Sequence, residues 1–230
     1  MKKKWLWLGL IAISLALAVW LAPGYYQQYQ ESRIDAGSLL DQALTRTAAA
    51  SSFRYQLESI LQVDGRKEVI SRVSGEKNQQ GSIHIKGEMV KTPVDIYHFN
   101  RTVYNWDSFS KRWLVIKDAE SNSAKVLISE LDPLSNFNFK QINDLKKDRW
   151  EAIDGERCLV LRCKPSVENE LMEILWKDFR YEIWVDVRDQ RIRKANLTAV
   201  SRNNPDTFLQ MMVGFDDFGQ PIKIEEPKIP

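Results

Sequence analysis

The residue types that most often carry chemistry are scarce in this chain, and their spacing does not suit it. There are two histidines and two cysteines. His84 and His98 each sit in an alternating apolar stretch, Ile83-His84-Ile85 and Tyr97-His98-Phe99. Neither has a Cys-x-x-Cys, His-x-x-His or acidic cluster beside it, so no metal is expected. Cys158 and Cys163 fall in one stretch that reads as extended chain. At about 3.3 Å per residue their Cα atoms stand ~16 Å apart, and a disulfide needs less than ~7 Å. Both are expected to be free and buried. There is no Gly-x-Ser-x-Gly elbow and no glycine-rich phosphate loop. No enzyme and no cofactor are expected. Asn100-Arg101-Thr102 and Asn196-Leu197-Thr198 match the glycosylation acceptor pattern, which is short enough to arise by chance. What remains is binding by shape and apolar surface.

Charge narrows the partner. The 230 residues include 33 basic and 31 acidic ones, and three of the basic ones are Lys2, Lys3 and Lys4. The rest is near neutral with no basic stripe, which argues against nucleic acid.

The three lysines introduce residues 5–21, an uncharged run that Pro23-Gly24 breaks. As a helix, 17 residues would span about 25 Å, short but within the range for crossing a ~30 Å hydrocarbon core. Trp5, Trp7, Trp20, Tyr25 and Tyr26 stand at its two ends, where aromatic rings prefer the interface. The rival is a secretory signal with Ala16-Leu17-Ala18 as its cleavage site. Cutting there would leave Val19-Trp20-Leu21 as an apolar stub, which favours a retained anchor. Both alternatives export the remainder, because the lysines stay in the cytoplasm. No cysteine near residue 20 is available to carry a lipid. The expected organisation is a membrane anchor or uncleaved signal over 1–24, a juxtamembrane spacer over 25–37, and one extracytoplasmic domain over 38–230. The chain would be a single-pass protein of the cell membrane.

The elements that must position any binding surface can be read in order. Ser38 and Asp41 form a capping box for a helix ending near Ala50. From residue 52 the period changes to two: Phe53, Tyr55 and Leu57 alternate with Arg54, Gln56 and Glu58. Asp64-Gly65 signals a hairpin. Strands are then expected over 68–74, 82–90, 94–99, 102–106 and 112–117, with turns at Gly75, 80–81, 91–93, 100–101 and 107–111. Residues 120–147 interrupt this meander. A helix is expected from Ser123 to Leu131, and a second through Phe137, Phe139, Ile142 and Leu145. Strands resume over 148–153 and 157–163. Ser166 is expected to cap a helix over 167–178, with Leu171, Ile174 and Leu175 on one face. Four strands follow, over 180–187, 191–200, 207–215 and 221–225. The class is α+β, with an N-terminal transmembrane helix. Its core is a strongly curved antiparallel sheet of about eleven strands, an unclosed barrel with helices on the concave face.

The helix leading into Ser51-Ser52-Phe53-Arg54-Tyr55, the Thr102-Val103-Tyr104…Arg112-Trp113 hairpin, residues 153–161, Tyr181-Glu182-Ile183-Trp184-Val185-Asp186 and the ending Val213-Gly214-Phe215 through Ile224 together carry a resemblance. In order and spacing they resemble the LolA/LppX-like superfamily of lipoprotein carriers and lipid-holding lipoproteins. The resemblance implies a bent, unclosed sheet with helices over an apolar cavity. It implies an acyl chain, lipid or lipoprotein as ligand, or, for some relatives by fold, an envelope protein partner and no lipid. Residues 120–147 would be the natural lid. The candidate cavity residues are Phe53, Tyr55, Leu57, Ile83, Ile85, Val94, Ile96, Tyr104, Trp106, Leu159, Leu161, Ile183, Val185 and Leu197.

Overall fold

The computed structural model describes residues 33–117 and 133–229. The apolar run 5–21 and the helix expected over 123–131 lie outside the described residues. Among the described residues no helix is long and apolar enough to cross a membrane. The chain divides into two units at Asp35, and everything below concerns the second, which starts at Ala36.

Eleven antiparallel strands form one curved sheet in the order β6-β5-β4-β3-β2-β1-β11-β10-β9-β8-β7. They are β1 Phe53–Val63, β2 Arg66–Lys77, β3 Ile83–Met89, β4 Thr92–Phe99, β5 Thr102–Asp107, β6 Arg112–Ile116, β7 Phe139–Ile153, β8 Glu156–Val167, β9 Trp176–Asp186, β10 Arg191–Ser201 and β11 Thr207–Asp216. Each is a neighbour of the next in sequence, apart from β6 and β7. Those two are the free edges, so the barrel is unclosed. The first strand β1 pairs with the last, β11, which joins the two meanders into one sheet.

Helix α1, Ala36–Ala48, buries Leu39, Leu40, Ala43 and Thr47, an i, i+4 stripe that packs chiefly on β10 and also on β7 and β9. The Thr47 hydroxyl accepts the Ile192 N–H at 2.9 Å, where a bulge between Ile192 and Lys194 interrupts the β10 ladder. A 3-10 turn, Pro133–Phe137, covers the same face. The Tyr181 hydroxyl, fully buried, donates to the Asn136 carbonyl at 2.7 Å and ties this turn to β9.

Several expectations are corrected. Helix α1 begins two residues before Ser38, so Ser38 is no cap; its hydroxyl accepts from the Gln42 side chain at 3.0 Å. Gly75 is no turn but lies inside β2. A Cβ there would stand 2.1 Å from Tyr55 Cζ, so the glycine makes room for the Tyr55 ring. The turn comes later, where Asn78 Oδ1 accepts the N–H groups of Gln80 and Ser82 at 3.1 and 2.9 Å. The helix expected through Phe139, Ile142 and Leu145 is instead the start of β7. Three register shifts break the period of two in that strand, and Asp144 adopts φ 51°, so the apolar residues fall at helix-like spacing. The helix expected over 167–178 shrinks to α2, Glu170–Leu175, capped by Asn169 Oδ1 on the Met172 N–H at 3.1 Å. Its flanks continue β8 and open β9, and it buries no residue, so it does not cover the concave face. Residues 221–225 form no strand. Ile222 and Ile224 are buried all the same, in an irregular tail held by the Ser52 hydroxyl and the Gln79 amide on the Gln220 carbonyl at 2.8 and 2.7 Å.

Candidate functional site

Alternation sorts the strands into two faces. Phe53, Tyr55 and Leu57 of β1 point inward, opposite Phe215 and Val213 of β11. Cross-strand partners carry that face in both directions. Toward β7 it runs through Ala195, Leu197 and Ile192 of β10, Tyr181, Ile183 and Val185 of β9, and Leu159, Leu161 and Cys163 of β8. Toward β6 it runs through Val73, Ile85, Val94, Ile96 and Val103. All of these are buried. The result is one apolar surface spanning the sheet. It is built as strands with one buried face are built, with every second residue turned to it.

Twelve of the fourteen residues expected to line a cavity meet on this face: Phe53, Tyr55, Leu57, Ile83, Ile85, Val94, Ile96, Leu159, Leu161, Ile183, Val185 and Leu197. Tyr104 and Trp106 do not. In β5 it is Val103 and Asn105 that share the face of Ile96, and Tyr104 and Trp106 stand on the outer one. The Tyr104 hydroxyl donates there to Glu226 of the tail. The large apolar side chains of β5 stand on the outer face and Val103 and Asn105 on the inner one, so alternation by residue type points the wrong way here. Sequence reasoning also passed over Val73, Val103, Phe137, Val213 and Phe215. Val213 and Phe215 alternate plainly in β11 and were findable. Phe137 lies in a stretch that reads as helix.

The described cover is uneven. Phe137 packs against Tyr181 and Phe215, with ring centroids at 6.1 and 6.3 Å, and against Phe139 at 6.4 Å. Under it, Leu57, Tyr181, Ala195, Leu197, Met211 and Val213 enclose only about 20 Å³ with Pro133 and Asn136. This half, over β1 and β9–β11, is filled. Helix α1 packs on β7, β9 and β10. Over β2–β5 the apolar surface continues, shielded from water, away from the main packing of α1 and of the 3-10 turn.

The electrostatics of the inner face are those of a dry surface. Burial pushes the Cys163 thiol up to about 12 and holds the Tyr181 phenol far above its ordinary range. His98, facing inward beside Ile83 and Val103, is held below its ordinary value by burial alone, and its Nδ1 has no hydrogen-bond partner. Cys158 faces the other way, in a small outer cluster with Val160 and Trp184, and burial pushes it up to about 11. Both cysteines are free. Among the described residues no group of histidine, cysteine and carboxylate side chains is placed to hold a metal ion.

The outer face is polar at its centre. An open groove of about 990 Å³ is lined by Gln56, Glu58, Arg72, Ser74, Lys86 and Lys194 among others. Toward β6 it becomes aromatic. His84 stacks on Tyr97 at 3.9 Å and hydrogen-bonds Asp95 at 3.0 Å, and Trp113 packs edge-on against Tyr97 and Trp106 at 5.6 and 5.2 Å.

No known family model matches the chain, and no curated protein matches it. Solved structures do. The Mycobacterium tuberculosis lipoprotein LppX superposes with TM-score 0.55 at 13% identity, over 82% of this chain and 99% of that one. LprF from Mycobacterium bovis gives 0.53 at 12% identity, over 84% and 96%. A LolA superfamily protein from Nitrosomonas europaea gives 0.34 at 12% identity, over 83% and 96%. The fold is shared with LppX and LprF.

Proposed function

We propose that this chain is a membrane-tethered, extracytoplasmic binding module whose inner sheet face accepts an acyl chain, from a lipid or a lipoprotein. One observation carries the reading. The apolar inner face runs across the sheet, interrupted at β4 and β5 by His98 and Asn105, yet the described covering elements concentrate on one half. Val73, Ile85, Val94, Ile96 and Val103 form the wall of the other half; each is at most 9% exposed, so an acyl chain laid on this wall takes the place of what already covers it. The fold shared with a lipoprotein supports it. The apolar run 5–21 behind three lysines supports the tether.

Magnitudes permit such binding. Burying hydrocarbon contributes about 0.8 kcal/mol per CH₂, so a dozen carbons yield roughly 10 kcal/mol gross. Immobilising the ligand subtracts from this, leaving ~8 kcal/mol, which is micromolar affinity. The filled space under Phe137 takes no part.

A photoactivatable fatty acid added to the full-length chain in vesicles tests this. Crosslinks are expected on β3–β5 peptides and lost in Ile96→Lys, because an unpaired buried charge costs several kcal/mol. Circular dichroism must show that the variant is folded. No crosslinking of the wild type, or crosslinks spread evenly over the outer face, would overturn the reading. N-terminal sequencing of the membrane-fraction protein tests the tether separately: a start at Met1 is expected, and a start at Val19 would make the segment a signal peptide. A second reading, an envelope protein that binds a partner and no lipid, is favoured by one feature, the aromatic strip of Tyr97, Trp106 and Trp113 on the outer face beside the free edge β6. It takes over if the crosslink is absent.

A further inference from the structure

Every connection in an antiparallel sheet falls at one of two ends. One end carries the connections after β2, β4, β7 and β9; the other carries those after β1, β3, β5, β8 and β10. The first is polar: the turns run through Asn78 to Ser82, Asn100-Arg101, Asp154-Gly155 and Arg188-Asp189-Gln190. The second is not. Phe109 is 97% exposed in the β5–β6 turn, Val90 70% exposed in the β3–β4 turn, and Ile174 68% exposed on α2 in the β8–β9 connection. Leu171 and Leu175 of α2 are exposed beside Ile174, and Phe208 at the start of β11 lies at the same end. Single exposed apolar residues are ordinary, and Leu114 and Val115 of the edge strand β6 and Ile229 of the tail are such; the concentration of the most exposed ones in the connections of one end is not ordinary.

We propose that this end is a bilayer-docking rim, in which Val90, Phe109 and the apolar side of α2 enter the interfacial layer of the membrane. The apolar tips stand on three separate connections. They do not form one flat patch such as a folded partner would need to match, whereas a fluid acyl layer receives separate tips without shape complementarity. Part of the charge at this end is paired within the domain. Lys91 holds Glu68 at 2.9 Å and Lys140 holds Glu173 at 2.7 Å, while the Asp107 carboxylate takes the Ser110 hydroxyl and the Phe109 N–H. The exposed Asp64, Arg66, Lys67 and Lys111 at the same end keep their charges in the headgroup layer while the apolar tips insert. The tether fits as well, on the reading proposed above that residues 5–21 sit in the membrane. Residues 22–35 reach at most roughly 50 Å, longer than an eleven-residue strand of about 37 Å. Such a tether lets either end meet the bilayer, and only this end is apolar.

The test uses the full-length chain in vesicles containing brominated acyl chains, with an environment-sensitive dye at position 109 (Phe109→Cys) or, at the opposite end, at position 189 (Asp189→Cys). Cys158 and Cys163 are buried and do not compete for the label. Dye at 109 is expected to lose most of its emission, and dye at 189 to keep it. Adding Val90→Asp and Ile174→Asp to the position-109 protein should restore emission, since both sites are exposed and neither change threatens the core. Equal quenching at both ends, no quenching at 109, or quenching indifferent to the aspartates would overturn the proposal. The fatty-acid crosslink on β3–β5 is read separately in the same vesicles. A chain that crosslinks but is not quenched loses the rim alone, and one that is quenched without crosslinks loses the ligand site alone.

Discussion

His98 shows how one residue feels the inner face. Its cross-strand neighbours are Ile83 and Val103, so no charge offsets the cost of an imidazolium there. Burial holds its folded-state value below the ordinary one. As pH falls, the unfolded chain binds this proton first, near pH ~6.5, and the folded chain only lower. Stability contributed at neutral pH is therefore lost as pH drops from about 6.5 toward the folded value. Above that window neither state carries the proton and the site has no effect on the slope. His98→Leu should thus shrink the difference between urea midpoints measured at pH 5.5 and pH 7.5. An unchanged difference would place the acid sensitivity elsewhere. Gly75 makes the same point without charge. It sits in a strand because the Tyr55 ring occupies the space its side chain would take.

At the scale of elements, the β9–β10 hairpin depends on one buried carboxylate. Asp186 is 1% exposed. Its Oδ2 accepts Arg193 Nη2 and Nε at 2.8 and 3.2 Å, and its Oδ1 accepts the N–H groups of Arg188 and Asp189 at 2.9 and 3.3 Å. One side chain therefore closes the turn and pairs a guanidinium that is itself largely covered, its side chain 17% exposed. Removing it leaves Arg193 without its buried partner. Asp186→Ala should cost about 3–5 kcal/mol, as breaking a buried pair does. Asp186→Asn keeps an acceptor for the turn and should cost less. Urea denaturation ranks the two, and equal losses would mean that the charge facing Arg193, not the turn amides, matters. The hairpin also carries α1, since Ile192 bonds Thr47 and the Asp189 carbonyl accepts from Arg46 at 3.5 Å. Damage there loosens the cover on the filled half of the bowl.

At the scale of the molecule, a single sheet with β1 and β11 joined at its middle has no obvious seam. Cys158 and Cys163 test this. They lie on opposite faces of β8, the strand next to the edge strand β7, and both thiols are buried and pushed toward higher values, about 11 and 12. Neither is reactive in place. If the sheet opens as one cooperative unit, both react with a thiol reagent at rates set by one opening free energy. Separate mass-resolved labelling rates, with Cys158 much the faster, would show that the outer cluster with Trp184 frays by itself. After denaturation without reductant two free thiols are expected.

Much of this architecture was legible in the chain. Alternation in β1, β3, β4 and β10 is local, and each of these strands has one more buried and one wetter face, so residue type reports orientation directly; β8 and β9 keep the inner set legible although Cys158, Val160 and Trp184 are buried on the outer face too. The paired φ > 0 residues at Asp64-Gly65 and Asp154-Gly155 likewise mark their turns through a local steric rule. The antiparallel order follows from short connections. The free cysteines follow from strand geometry. Tertiary structure decided the rest. It turned residues 139–147 into an edge strand, because bulges there serve the pairing with β8 and erase the period that sequence displays. It cut the helix over 167–178 to Glu170–Leu175 and left its apolar side exposed, because β8 runs on to Val167 against β7 and β9 opens at Trp176 against β10. It placed Tyr104 and Trp106 outside, although they are the larger apolar set of β5, because the register with Tyr97 and Trp113 puts them on the face of those rings. Whether an apolar face is filled or open depends on which elements pack against it, and residues distant in sequence, such as Phe137 against Leu57 and Met211, supply that packing.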